Sequence, residues 1–301
     1  MTSERPQVTV IVPHYNDLRR LDICLAALQA QSYPVELVRV IVADNGSPQG
    51  LKAVTDLVAD RADVVLVEEK GAGPARNGAV ALATSPILAF TDSDCVPEPQ
   101  WLEAGIGALE KFDFVGGHVS LLVEDEARVT PTEAFERVFA FDFKAYIEKK
   151  GFTGSGNLFC AKSLFDTVGG FRAGISEDYE WSKRAQSFGF KLGYEPQAVV
   201  GHPARRTWDE LVRKWKRVNA ETYGLSRGTR WRKVRWLLRS LLVPPSAVAH
   251  IPKVLASTKL TGAGQRVGAL GVLFAIRGWR FVDSLQLLFS DTFDDPRRVD
   301  S

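Results

Sequence analysis

The stretch ILAFTDSDCVPEPQWL, residues 87–102, places two carboxylates, Asp92 and Asp94, two positions apart where an apolar run ends. Like charges so placed repel unless something positive lies between them. A hard divalent cation with open positions for phosphate oxygens and water meets that need, and it would neutralise charge on a departing diphosphate. A D-x-D pair is also common in surface turns, so its neighbours decide its weight. Glu177 and Asp178 follow Ser176, a residue suited to cap a helix. An acid on a first helical turn is favoured by the helix dipole alone. It can also serve as a general base that takes a proton from a hydroxyl.

Three further segments carry polar groups. PHYND (13–17) offers the ring of Tyr15 beside Asn16, with Pro13 expected to stop a strand, and ADNGS (43–47) offers Asp44 before a tight turn at Gly46. A nucleotide base needs a flat apolar surface and a polar reader of its edge, which Tyr15 and Asp44 can supply. EKGAGPARNGA (69–79) is neither a dinucleotide fingerprint nor a Walker loop. Its Arg76 either faces a nucleotide from the first helical turn or is an exposed residue of a helix entry.

These groups need a scaffold that brings them together. VTVIVP (8–13), VRVIVAD (38–44), DVVLVEE (63–69), PILAFTD (86–92) and FVGGHVSL (114–121) are short, mostly continuous apolar runs rich in β-branched residues. Such runs predict strands of a parallel sheet covered on both faces. Leu18, Leu21, Leu25 and Leu28 share one face of a helix between the first two strands, with Asn16 or Asp17 as its cap. Further helices are expected over 48–60, 74–84 and 97–111, an aromatic-rich one over 131–149, and another from about 176 to 190. The prediction is an open α/β sheet, which binds ligands beyond the carboxyl ends of its strands. The polar segments fall at those ends. FTGSGN (152–157) reads as a loop.

Composition sets the outer bounds. At 301 residues and 45% apolar, the chain can form one large domain plus an extension. Cys24, Cys95 and Cys160 lack metal-site spacing and suit a reducing compartment. The start, MTSERPQ, has no apolar signal core. Residues 203–240 hold twelve Lys or Arg against three acids, so this segment is +9 and the remainder −7. The asymmetry points to a polyanionic partner. No uncharged run after 205 reaches the roughly 17–25 residues of a spanning helix. Amphipathic helices on an anionic membrane surface are therefore expected, with a cationic helical pair packed on the core as the plainer reading. Nucleic acid is not expected, since no stacking-aromatic groove accompanies the charge.

The ordered set VIVPHYN, VADNGS, GPARNGA, FTDSD, GSGN and ISEDYEW resembles the inverting family-2 glycosyltransferases of GT-A fold, over about residues 6–205. The resemblance implies a catalytic domain over 1–205 and a basic, amphipathic helical extension over 206–301. It implies that Pro13, Tyr15, Asn16, Asp44, Arg76, Asp92 and Ser93 bind a nucleotide-diphosphate sugar. Asp94 and Asp92 would hold Mg²⁺ or Mn²⁺, with His202 either a further ligand or an ordinary loop histidine. Gly154, Ser155, Gly156, Asn157 and Trp181 would line the pocket for donor sugar and acceptor. Asp178 would be the catalytic base, supported by Glu177. The Gln-x-x-Arg-Trp motif of processive polysaccharide synthases is absent, and RKW (213–215) substitutes poorly. That implies transfer of one sugar to an acceptor hydroxyl, such as that of a lipid-linked or cell-envelope glycan. A peripheral position at the cytoplasmic membrane face is expected. The alternatives are a sugar-1-phosphate nucleotidyltransferase, disfavoured because PHYNDLRR lacks the glycines of a triphosphate loop, and a non-catalytic membrane-attached module, disfavoured by the four acids.

Overall fold

The computed structural model describes residues 5–173, 176–225 and 231–289. Two compact units emerge. One gathers the described residues of Met1–Ser120, Phe141–Ala173 and Glu177–His202; the other gathers those of Leu121–Ala140, Gly174–Ser176 and Pro203–Ser301.

The first unit is organised around an eight-stranded sheet of order β3-β2-β1-β4-β7-β6-β8-β5. Val8–His14 (β1), Val38–Asp44 (β2), Asp63–Leu66 (β3) and Ile87–Thr91 (β4) run parallel. Val96–Pro97 (β5) is short, Phe114–Leu122 (β6) and Asn157–Ala161 (β7) follow, and Leu192–Pro203 (β8) completes the set. β7 is antiparallel to both β4 and β6. The side-chain period of two divides β1 between both faces. Val8, Val10 and Val12 join one core cluster and Ile11 the other. This is why its sequence is apolar without alternation.

Helices Leu18–Gln29 (α1), Leu51–Val58 (α2) and Ala72–Val80 (α3) link the parallel strands, and Trp101–Ala108 (α4) links β5 to β6. Asp17 caps α1 by accepting from the Arg20 amide at 3.0 Å, and Leu21, Cys24, Leu25 and Leu28 form its buried face. Pro13 does not end β1, which runs to His14. β4 pairs with β1 only as far as Ile11. The Pro13 nitrogen faces that vacated side, where a missing N–H breaks no ladder bond.

The helix expected over 131–149 is broken. Pro131–Phe139 (α5) ends at an extended Ala140, Phe141 takes φ +53°, and Asp142 caps a new short helix, Phe143–Ala145 (α6), which a wide turn extends to Lys150. A short polar residue two positions past a turn competes with helical hydrogen bonds by bonding its own backbone, and Asp142 accepts from the Ala145 amide at 3.2 Å. Lys162–Val168 (α7) and Glu177–Ser187 (α8) complete the first unit.

The second unit is helical. It contains α5, Trp208–Gly224 (α9), Arg232–Leu241 (α10), Val243–Ala249 (α11), Ile251–Leu255 (α12) and Gly262–Phe289 (α13). Thr130 with Glu133, and Thr207 with Glu210, form reciprocal caps at the starts of α5 and α9. Its apolar core joins Phe135 and Val138 to Leu211, Ala247, Val254, Leu273 and Ile276. At its polar centre Glu136, 1% exposed, accepts from Arg205 and Lys214, each at 3.0 Å. No helix among the described residues is long and apolar enough to cross a membrane.

Candidate active site

The sheet explains why distant residues meet. β1, β2 and β4 are neighbours and end at His14, Asp44 and Thr91, so Tyr15, Asn45 and Asp92 emerge along one edge. β7 begins at that same edge because it runs antiparallel to β4, with Asn157 opposite Thr91. The loop 152–157 is therefore delivered beside Asp92.

Arg76, on the second turn of α3, joins the acidic groups. Only 3% exposed, it donates from Nη2 to Asp92 Oδ1 and from Nη1 to Glu177 Oε1, both at 2.5 Å. A planar guanidinium presents two donor pairs in fixed geometry, so it can hold two carboxylates at once. Asp92, Glu177 and Asp178 all act on Arg76 and, despite burial, hold its guanidinium firmly protonated. Glu177 is pushed above the usual carboxylate range; burial is the main cause, and Asp178 and Asp92 add to it against the opposing charge of Arg76. Asp178 Oδ1 is buried and finds no hydrogen-bond partner among the described residues. A buried acceptor in that state costs about 1–3 kcal/mol unless a partner arrives.

The glycine loop fits closely around these acids. A Cβ on Gly156 would stand 2.7 Å from Asp92 Oδ2, and one on Gly154 would stand 2.8 Å from the Phe143 ring and 3.6 Å from Asp178 Oδ2. Ser155 between them is buried. Asn157 is occupied structurally: it accepts from the Trp101 indole and donates to the carbonyls of His118 and Ala198, all at 2.9 Å. Trp181 lies in the core, donating to Gly169 O and packed on Phe114, Phe165 and Phe171.

Asp94 lies on the other side of Asp92. His202 Nε2 is 3.6 Å and Arg20 Nη1 3.9 Å from Asp94 Oδ2. Ligand atoms of Asp92, Asp94 and Cys95 fall within 4.8 Å of one another. Two carboxylates with an imidazole nearby match the oxygen-rich donor set of Mg²⁺ or Mn²⁺. Cys95 is a poor fourth donor, because burial first and then Asp92 and Asp94 raise its thiol well above normal and keep it protonated. Ser93 is half-buried between the two acids.

At the first two strand ends, Tyr15 is 55% exposed, with Lys70 Nζ 5.5 Å from its ring centre. Asp44 is fully buried and accepts from the amide and hydroxyl of Ser47. Its carboxylate thus shapes its own turn, and Ser47 in turn accepts from the Asn16 amide at 2.9 Å. Asn16 adopts φ +56° and accepts from Gln49. Two residues here escaped the sequence reading. Lys70 donates to Asn45 O at 2.8 Å and stands as a cation at the strand-end edge. It sits in the glycine-rich segment already singled out, where a lysine before the helix was the available signal. His14 is buried with both ring nitrogens unpartnered among the described residues, and burial holds it below its usual pKa against the pull of Asp44 and Asp17. Nothing in the pattern separated it from strand-end packing.

Residues 9–180 match the sequence profile of Glycosyl transferase family 2. Glycosyltransferase AglE of Haloferax volcanii is 33% identical over 226 residues, covering 72% of this chain and 73% of that protein. The pre-mycofactocin glycosyltransferase of Mycobacterium tuberculosis is 31% identical over 224 residues, covering 67% of this chain and 44% of that longer protein. Among solved structures, a mannosyltransferase of Pyrobaculum calidifontis, PcManGT, in complex with GDP-Man and Mn²⁺, shares the fold at TM-score 0.62 and 19% identity, over 96% of this chain and 89% of its own. The chain belongs to glycosyltransferase family 2, and is an inverting glycosyltransferase of GT-A fold.

Proposed function

We propose that this enzyme moves one sugar from a nucleotide-diphosphate sugar to an acceptor hydroxyl, with Asp178 as the base. The observation that carries this reading is the Arg76 clamp. It ties the strand-end acid Asp92 to Glu177, whose chain neighbour Asp178 acts on the same guanidinium and keeps a buried Oδ1 that is unpartnered among the described residues.

In the reaction, the Asp178 carboxylate accepts the proton of the acceptor hydroxyl. The acceptor oxygen bonds to the anomeric carbon while the bond from that carbon to the diphosphate oxygen breaks, and the electron pair leaves with the nucleoside diphosphate. The centre inverts, and no enzyme nucleophile is needed. Glu177, locked by Arg76, fixes the first turn of α8 and thereby the aim of Asp178. The Tyr15 ring offers a face to the base, while the Asp44–Ser47 turn sets the backbone beside it. Lys70 attracts phosphate charge. Asp94 and Asp92 would hold a divalent cation, with His202 beside them, and such an ion supplies charge neutralisation at the leaving diphosphate. The lack of a Gln-x-x-Arg-Trp motif supports transfer of a single sugar, and a lipid-linked or cell-envelope acceptor fits the basic C-terminal part. The catalytic domain is taken as 1–205 and the helical extension as 206–301, with α5 inside the first span packing in the helical unit.

Screening nucleotide sugars tests this reading. One of them, with Mn²⁺ or Mg²⁺, should raise the melting temperature and be slowly hydrolysed without acceptor. Release of pyrophosphate from a nucleoside triphosphate and a sugar phosphate, with no nucleotide sugar consumed, would contradict it.

A further inference from the structure

We propose that the α10–α12 segment of the second unit is an in-plane docking surface for an anionic lipid bilayer. Leu242 (φ −82°, ψ −10°) and His250 (φ −96°, ψ −1°) keep the backbone right-handed helical between the three helices, so one helical count runs from Arg232 to Leu255. At about 100° per residue this segment has three sectors. Trp236, Ser240, Ala247 and Val254 share one sector and are buried. Val234, Leu238, Leu241, Leu242 and Val248 lie roughly opposite and are exposed, Leu238 by 58%, Leu242 by 69% and Val248 by 60%. Arg235, Arg239 and Lys253 border the exposed apolar sector on one side. Trp231, 65% exposed, stands just before the first turn.

The apolar sector is thus additional to the face that α10–α12 uses for packing. A helix of a water-soluble surface has one apolar side and one polar side. This one is apolar on two sides, with cations between them, which is the arrangement of a helix lying at a membrane interface. Charge settles the choice of occupant. From Thr222 to Val282 the chain contains eleven Lys or Arg and no Asp or Glu. A chain segment so free of acids complements a negatively charged surface, while the exposed leucines have no use against a phosphate backbone alone and call for acyl chains. This inference concerns the second unit and stands apart from the chemistry assigned to the first.

The test is co-sedimentation of the full chain with phosphatidylcholine vesicles and with vesicles of phosphatidylcholine and phosphatidylglycerol in equal parts. The protein should pellet with the anionic vesicles, more weakly as salt rises, and stay in solution with the neutral ones. Leu238→Glu, Leu241→Glu and Leu242→Glu together should lower the partition about a hundredfold or more, from lost burial and added repulsion. Lys233→Gln with Arg235→Gln, both at exposed sites, should lower it about fivefold per charge. Wild-type protein that ignores anionic vesicles would overturn the proposal, as would a triple variant that binds like wild type. Light scattering that shows a wild-type dimer, made monomeric by the triple variant, with no vesicle binding would give the face to a second copy and also overturn it. Retention on RNA but not on vesicles would do the same.

Discussion

Arg76→Ala is expected to damage stability and turnover together, because the guanidinium compensates a cluster of buried acids. With Arg76 gone, Asp92 and Glu177 lose partners at 2.5 Å, and Asp178 remains nearby. Removing one member of a buried ion pair costs about 3–5 kcal/mol, since the remaining charge is left uncompensated. The Asp92 side chain is 35% exposed and the Glu177 side chain 21%, so water screens part of the loss and the lower end applies. About 3 kcal/mol corresponds to a fall of roughly 6–12 °C in melting temperature for a domain of this size. Arg76→Lys should recover only part of it, because an ammonium cannot present two paired donors to two carboxylates.

The loss should also depend on pH. Glu177 already sits above its ordinary 4.5 in the folded protein. For a raised carboxylate, the folded state binds more protons than the unfolded one, so its favourable contribution is full below 4.5 and is lost as pH rises through the folded value. Without Arg76 that folded value climbs further, so the deficit of the variant against wild type should shrink on acidification. Thermal melts from pH 4 to 8, with donor titrations at pH 7, give the assay. If Arg76 served only the nucleotide, Arg76→Ala would raise KM for the donor and leave the melting temperature within a degree or two. That result would refute the clamp.

Three other perturbations follow from the geometry. Gly156→Ala should weaken binding of metal and donor with little loss of fold, as its Cβ would press on Asp92 Oδ2; equilibrium titration with Mn²⁺ and a nucleoside diphosphate checks it. Asp94→Asn should abolish the thermal stabilisation that Mn²⁺ gives in the presence of nucleoside diphosphate, measured by melting with and without chelator. Glu136→Gln should destabilise the second unit by about 3 kcal/mol, because Arg205 and Lys214, both half-buried, share its charge. Burial pushes Glu136 up, but Lys214 and Arg205 outweigh it and lower its pKa; Lys214 itself falls to about 8, mainly through burial and despite the pull of Glu136. Glu136 therefore contributes stability above 4.5 that is lost as pH falls through its lower folded value. A wild-type melting temperature flat from pH 6 to 2 would contradict that.

The parallel half of the sheet was legible because its strands are buried on both faces. VRVIVAD, residues 38–44, matches β2 residue for residue. The antiparallel half was less so. NLFCA is only five residues, and LGYEPQAVVGHP carries Glu195, Pro196 and Gln197 at its middle, so neither shows a clean period. The break at Phe141 was hidden by phenylalanines at helical spacing: Phe135 and Phe139 do pack together, 4.9 Å apart, while Phe143 joins the core of the sheet unit. For the site, strand ends announced the acids, because topology alone sends them to one edge. The role of Arg76 could not be read, since Glu177 lies 101 positions away and only the fold brings it close. Asp44 and Trp181 also hold their own surroundings in place, through Ser47 and Gly169.

The most direct measurement compares Asp178→Asn with wild type in single-turnover transfer and in donor binding. Asparagine keeps the shape and cannot take the hydroxyl proton, so transfer should fall by about 10²–10⁴-fold while the donor binds as before. Wild-type transfer by Asp178→Asn would contradict the account.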